Sequence, residues 1–176
     1  MSEPAHLAPS ALTLAPLARQ DRARVLHLTL PQQQQMFAGP IDAVVEDADP
    51  AVDFHMGLVG EEPVCFFKID RAYDTRLADF DLTSAGFKTG DLGLRALIVG
   101  SQYQGKGYGK AAMLALPAYL AHHYPPQHYT GARAFLTVNL RNPAAIGLYL
   151  ATGWEDTGQR FLGGKAGPQH LFRLGF

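Results

Sequence analysis

The chain has 176 residues, 47% of them hydrophobic and 18% charged, with a formal net charge of −1. That length suits one domain, 1–176, with a core of its own, and the near-neutral charge argues against a surface built for nucleic acid or an anionic membrane. A single cysteine, Cys65, rules out an intrachain disulfide and favours a reducing compartment.

The N-terminal stretch "MSEPAHLAPSALTLAPLARQ" carries Glu3 and three prolines before its first basic residue. It lacks the charged start and unbroken apolar run of a signal peptide, and no segment approaches the roughly 18 apolar residues of a membrane span. A cytoplasmic location is therefore expected. Residues 12–17, "LTLAPL", read as a short first strand, and "LARQDRARVLHLTL" spaces its apolar residues for an amphipathic helix that Pro31 ends. "PQQQQMFAG" reads as a helical turn or a loop. "VDFHMGLV" and "VCFFKID" flank the turn-rich "GEEP" and predict an antiparallel hairpin. Cys65 lies within that second apolar run, as a buried structural thiol would. Residues 71–90 are polar with scattered aromatics and read either as a long loop or as an irregular strand pair.

"LGLRALIV", residues 92–99, is a buried central strand in which Gly93 marks a bulge or a close approach. The Ala- and Leu-rich "GKAAMLALPAYLAHHY" is a helix with a kink expected at Pro117. "YPPQHYTG" is a connector, and "ARAFLTVNL" is another strand. In "NPAAIGLYLATG", Asn142 is a good N-cap, Pro143 suits the first helical position, and Gly153 suits the stop. "WEDTGQRFLGG" and "PQHLFRLGF" close the chain as a strand pair. The order is that of a mixed α/β domain. No His, Cys, Asp or Glu spacing suggests a metal site.

Between the central strand and the long helix lies "GSQYQGKGYGK", residues 100–110. Free backbone N–H groups at a helix start bind anions, and glycines let the chain approach them closely. A nucleoside-triphosphate loop would need Ser or Thr after Lys106, where Gly107 stands, and a dinucleotide fingerprint would need its third glycine where Lys110 stands. "QGKGYG" instead resembles the Gln/Arg-x-x-Gly-x-Gly/Ala signature of the GNAT superfamily of N-acetyltransferases. Downstream, Val138-Asn139, Asn142, Ala145, Tyr149 and Gly153-Trp154 are similar to that superfamily's Val-Asn strand end, Asn-x-x-Ala-x-x-x-Tyr helix and Gly-Phe/Trp. The likeness covers residues 52–160 well and the N-terminal part loosely.

The resemblance implies a mostly antiparallel twisted sheet with helices on both faces, in which strands 92–99 and 134–138 run side by side and splay apart. It implies an acetyl-CoA-dependent N-acetyltransferase that acts without an acyl-enzyme. Gln104, Gly105, Lys106, Gly107, Tyr108, Gly109 and Lys110 would cradle the coenzyme A pyrophosphate. Ile98 and Val99 would bind the pantetheine arm through the backbone. Asn139 and Asn142 would bond its amides, and small Ala145 would let it approach. Lys106 and Lys110 read equally well as solvated lysines, and Asn142 as a cap alone.

Transfer from a thioester to an amine needs a proton for the departing sulfur. Tyr149 shares a helix face with Asn142 and Ala145, and a phenol is protonated at neutral pH. By position alone it equally suits a core tyrosine. Many relatives place a glutamate as base near Gly93; that acid is absent. Asp91, two residues earlier on the same face of a regular strand, is a candidate base, with a turn aspartate as the plain alternative. A water chain or capture of already neutral amine would dispense with a base, and His55, His122 and His123 are lesser candidates. The loop looks most like that of branches acting on polyamines or other small amines. A protein N-terminal or lysine acetyltransferase and a non-catalytic acyl-CoA sensor are the other readings, and a homodimer is left open.

Overall fold

The computed structural model of the chain describes residues 11–125, 132–162 and 166–176. Its strands are β1 (Leu12–Pro16), β2 (Val52–Val59), β3 (Glu62–Asp70), β4 (Leu92–Val99), β5 (Arg133–Asn139), β6 (Glu155–Phe161) and β7 (Gln169–Gly175). The α-helices are α1 (Gln32–Ala38), α2 (Ile41–Val44), α3 (Leu82–Ala85), α4 (Tyr108–His123) and α5 (Pro143–Ala151). The strands form one sheet in the order β1-β2-β3-β4-β5-β7-β6. Every neighbouring pair is antiparallel except β4 and β5, which are parallel.

The sheet is covered on both faces because side chains alternate along its central strands. On β3, Phe67 joins Met113, Leu116 and Leu120 of α4 in one core. Its neighbour Phe66 joins Val25, Leu28, Ile41 and Val44 in the other. Cys65 is fully buried, and burial pushes its thiol up to about 12, so it packs as an inert hydrophobe. Among the described residues no helix is long and apolar enough to cross a membrane.

Three segments differ from the sequence expectation. The stretch expected as an amphipathic helix is a 3-10 helix, Arg19–Val25. Arg19 is drawn inward there, donating to the carbonyls of Asp47, Asp49 and Val52. Residues 71–90 contain no strand pair. They hold a 3-10 turn, Tyr73–Arg76, and α3, which Asp81 caps by accepting from the Ser84 N–H at 3.0 Å. Tertiary ion pairs order this segment: Arg76 reaches Asp70 at 2.7 Å and Asp49 at 3.0 Å. In α4, Pro117, where a kink was expected, lies inside one continuous helix. The connector expected at residues 124–131 lies mostly outside the described residues.

A buried polar cluster closes the C-terminal end of α4. Tyr124 donates its hydroxyl proton to Asp53 at 2.7 Å, so its oxygen can only accept from His55 Nε2, 3.0 Å away. His55 Nδ1, 2.6 Å from the Tyr119 hydroxyl, is then the acceptor. Both ring nitrogens are satisfied by a neutral imidazole. Burial, partly opposed by the nearby Asp53 charge, pushes the His55 pKa down to about 4. The folded value lies below the unfolded one, so this stability is complete above pH ~6.5 and is lost as pH falls through about 4. The loss is at most ~3 kcal/mol from this group. Urea midpoints measured from pH 7.5 to 4 should fall less in His55→Gln than in the native chain; equal slopes would remove His55 from this role.

Candidate active site

The glycine loop turns β4 into α4. Gly105 has φ +74° and Gly107, the N-cap of α4, has φ +83°. Side-chain-bearing residues avoid both conformations. The turn leaves the first N–H groups of a 16-residue helix without intrahelical partners. Those donors and the helix dipole suit an anion.

Beside the loop the sheet opens. β4 has eight residues and β5 has seven, yet only Leu92–Ala134 and Gly93–Phe135 are paired. Beyond Gly93 the two strands part. β4 also carries a bulge: Phe66 pairs with Ile98 and Lys68 with Arg95, so Ala96 and Leu97 together oppose Phe67. Ala96 takes φ +53°, the one positive φ outside glycine among the described residues, and re-aims the strand.

Two cavities occupy the opening. One, of about 580 Å³, is lined by the loop, by the starts of α4 and α5, and by Gln33 and Gln34 of α1. The other, of about 560 Å³, is lined by residues 94–97 of β4, by β5 and by residues of the 73–80 segment. Phe37, Ala38, Leu97, Asn142, Ala145 and Tyr149 line both. Tyr149 therefore stands where the cavities meet. It is buried, stacks edge-on against Trp154, and burial holds its phenol above the ordinary range, so it is protonated at neutral pH.

The structure brings most of the residues singled out in the sequence to the first cavity: Val99, Gln104, Gly105, Gly107, Tyr108, Gly109, Asn142, Ala145 and Tyr149 all line it. Asn142 also caps α5, its side chain accepting from the Ala145 N–H at 3.3 Å. Gln104 exchanges amide hydrogen bonds with Gln34 at 2.9 and 3.2 Å and donates to the Val99 carbonyl at 2.9 Å. Lys106 and Lys110 are exposed and line neither cavity.

Three candidates are placed differently. Asp91 sits at the closed end of the β4–β5 pair and lines neither cavity. Its carboxylate accepts the backbone N–H groups of Lys88 at 2.8 Å, Ala132 at 3.1 Å and Arg133 at 3.2 Å. Those bonds make it a clip for the strand starts, away from Tyr149, and remove it as a base. Ile98 is wholly buried in the second core and lines neither cavity; Leu97, displaced by the bulge, lines both. Asn139 lines the second cavity only, and its amide is committed to the loop after β6, donating to the Ala166 carbonyl at 2.8 Å and accepting from the Arg141 N–H at 2.8 Å. Of the histidines, His55 is held in the polar cluster and none of His55, His122 and His123 lines either cavity.

Gly93 shows why no acid stands at its position. A Cβ there would overlap the ring of Tyr73, which is buried and lines the second cavity. The close approach read from the sequence is thus a side chain packed over a bare backbone. Phe37 falls in the 32–37 stretch expected to contact substrate, whereas Ala38, Leu97 and Arg141 were missed: Leu97 reaches the site through the bulge, Ala38 through packing of α1 and Arg141 through the turn between β5 and α5. Among the described residues, no group of three or more His, Cys, Asp or Glu is placed to hold a metal.

The first cavity fits an elongated ligand with phosphates at one end. The α4 N-terminus and Arg141 lie beside it, and Leu97, Val99, Ala144, Ala145 and Leu148 provide an apolar track. Comparison with known proteins finds a related chain and shared folds. The chain is 34% identical over 101 residues to the uncharacterized N-acetyltransferase YbbJ of Bacillus subtilis, a match that spans 57% of each chain. The fold superposes on that of aminoglycoside acetyltransferase AAC(6')-Ib, solved with coenzyme A and kanamycin, with a TM-score of 0.68 at 19% identity, covering 93% of this chain and 94% of that one. It also superposes on a chimera of the Vibrio cholerae spermidine N-acetyltransferase SpeG and hSSAT, with a TM-score of 0.58 at 18% identity, covering 94% and 95%. The profile of the Acetyltransferase (GNAT) family matches residues 23–154, and the chain, with its glycine loop and parted central strands, belongs to that family.

Proposed function

We propose that the chain is an acetyl-CoA-dependent N-acetyltransferase that acts on a small-molecule primary amine by direct attack within a ternary complex. The observation that carries this reading is the meeting of two cavities at Leu97, Asn142, Ala145 and Tyr149, one of them bounded by the glycine loop. A single cavity would serve a binding domain; two that share a wall serve a transfer between two ligands.

The N–H groups at the start of α4, with Gly105 and Gly107, hold the pyrophosphate of coenzyme A. Arg141 adds positive charge, and the apolar track holds the pantetheine arm. Beyond Gly93 the β4 edge is unpaired by β5, so its backbone donors and acceptors face the opening. When bound, acetyl-CoA supplies an activated acetyl group: a C–N bond forms to the amine, the C–S bond breaks, one proton leaves the amine and one arrives at the sulfur. Tyr149 holds that second proton at Oη, in a site where burial favours its neutral form. Among the described residues, those lining the opening include no histidine, and no acid adjoins Tyr149 in the shared wall. The amine accordingly enters neutral or loses its proton to water. Most of the acceleration then rests on orientation, which is worth roughly 7–11 kcal/mol in well-aligned reactions.

Polyamines, the acceptors suggested by the loop, call for an acid-lined pocket. The second cavity has the opposite character, with Lys68, Arg76 and Arg95 on its walls against Asp79.

Release of free thiol from acetyl-CoA across a panel of amines tests the proposal and separates it from a non-catalytic sensor. Tyr149→Phe should lower turnover by about 10²- to 10⁴-fold while coenzyme A affinity, measured by calorimetry, stays within twofold. Turnover like that of the native chain would sink the proton-donor assignment. Gly107→Val places a β-branched residue at φ +83° and should abolish coenzyme A binding without unfolding the sheet. Retained affinity would remove the loop from the cofactor site.

A further inference from the structure

The walls of the second cavity carry an ordered separation of charge. Among the described residues its lining cations are Lys68, Arg76 and Arg95, and its one lining acid, Asp79, is exposed. The acids that neutralise these cations do not line the cavity. Asp70, 1% exposed, accepts from Arg76 Nε at 2.7 Å, from Arg95 Nη1 at 3.3 Å and from the Ala72 N–H at 2.9 Å. Asp47 takes Lys68 Nζ at 3.0 Å, and Asp49 takes Arg76 Nη2 at 3.0 Å. The network is close to neutral in sum. It is polarised, with cations toward the cavity and acids behind them, so a ligand meets the positive side first.

Arg95 is the pivot. It stands immediately before the bulge at Ala96, and its ion pairs with Asp70 and Asp47, at 3.3 and 3.5 Å, both use Nη1. The Nε–Nη2 edge of the guanidinium is not engaged by them. Two parallel N–H donors in one plane match a carboxylate bidentately. Beside them Leu77, Phe80 and Phe161 supply apolar wall for a hydrocarbon body.

We propose that the acceptor is an amine that also carries a carboxylate, with that carboxylate seated on the free edge of Arg95 and flanked by Arg76 and Lys68. The inference rests on the N-acetyltransferase reading and names the substrate class for it. A carboxylate placed here meets cations already fixed by ion pairs to Asp70, Asp47 and Asp49, so little side-chain entropy is lost on binding. A polyamine or an aminoglycoside would bring its charges against the same cations. The pocket thereby selects on a group remote from the reacting nitrogen.

The test uses the full chain, acetyl-CoA and matched acceptors: leucine against leucinamide, 4-aminobutyrate against butylamine, and phosphoethanolamine, spermidine and kanamycin as controls. Thiol release should show kcat/KM at least about tenfold higher for the carboxylate member of a pair. Equal or higher values for the uncharged partners would overturn the proposal. So would spermidine, kanamycin or phosphoethanolamine as the best acceptor. Calorimetry of leucine and leucinamide against the protein loaded with coenzyme A is read separately. Tighter leucine binding without thiol release would keep the carboxylate site and sink the transferase reading; no difference in binding, with thiol release present, would do the reverse. Arg95→Gln should raise KM for the carboxylate acceptor about tenfold and leave that of its uncharged partner and the coenzyme A affinity unchanged. Where that variant does not fold, Arg95→Lys keeps a charge for Asp70 and Asp47 but has no fork, and should lose the preference in the same direction. Preference retained in a folded variant would overturn the assignment to Arg95.

Discussion

The site depends on a limit to strand pairing. β4 and β5 are hydrogen-bonded through Leu92–Ala134 and Gly93–Phe135 and then part. An interior sheet position normally has its backbone groups satisfied on both sides, and unpaired buried groups are costly. Here that cost is accepted along β4, and a ligand with its own amides can recover it. Asp91 fixes where the parting begins. By accepting from Lys88, Ala132 and Arg133 it ties both strand starts to one carboxylate. The bulge at Ala96 and Leu97 then sets the direction in which β4 leaves. Asp91 lines neither cavity, whereas the bulge puts Leu97 on the wall of both.

What could be read in the sequence was local. The hairpin of β2 and β3, the glycine loop, and the Asn142–Pro143 helix start follow from turn, cap and φ preferences that neighbouring residues decide. Tyr149 was singled out by the resemblance of its motif; the helix period supplied only its shared face with Asn142 and Ala145. Asp91 was misplaced for a related reason: regular alternation put it on the face of Gly93, but its carboxylate turns back to three amides. At the end of β4 a one-residue bulge shifts the alternation, bringing the Leu97 side chain to the opening and sending that of Ile98, expected to act through its backbone, into the core. Residues 71–90 have little intrinsic preference, and their form is imposed by ion pairs to Asp70 and Asp49, which lie outside them.

The same segment explains the missing acid at Gly93. Tyr73 lies over that backbone, and its ring fills the space a side chain would take. The position thus serves packing in this chain. Its occupant is an aromatic wall of the second cavity, held by a 3-10 turn that the network around Asp70 anchors. One set of carboxylates, buried Asp70 with the partly exposed Asp47 and Asp49, therefore both orders the wall and sets the charge it presents.

The two cavities share Phe37, Ala38, Leu97, Asn142, Ala145 and Tyr149 and are otherwise lined by different parts of the chain. The loop side is drawn mainly from 99–109 and 141–149, the other side from 68–80, the first part of β4 and the last strands. Such a division makes the molecule evolvable in one direction. Mutations on the 68–80 side can reshape the second cavity with the glycine-loop half left intact, whereas changes in the six shared residues alter both halves at once. Divergence within this architecture is thereby channelled to one wall.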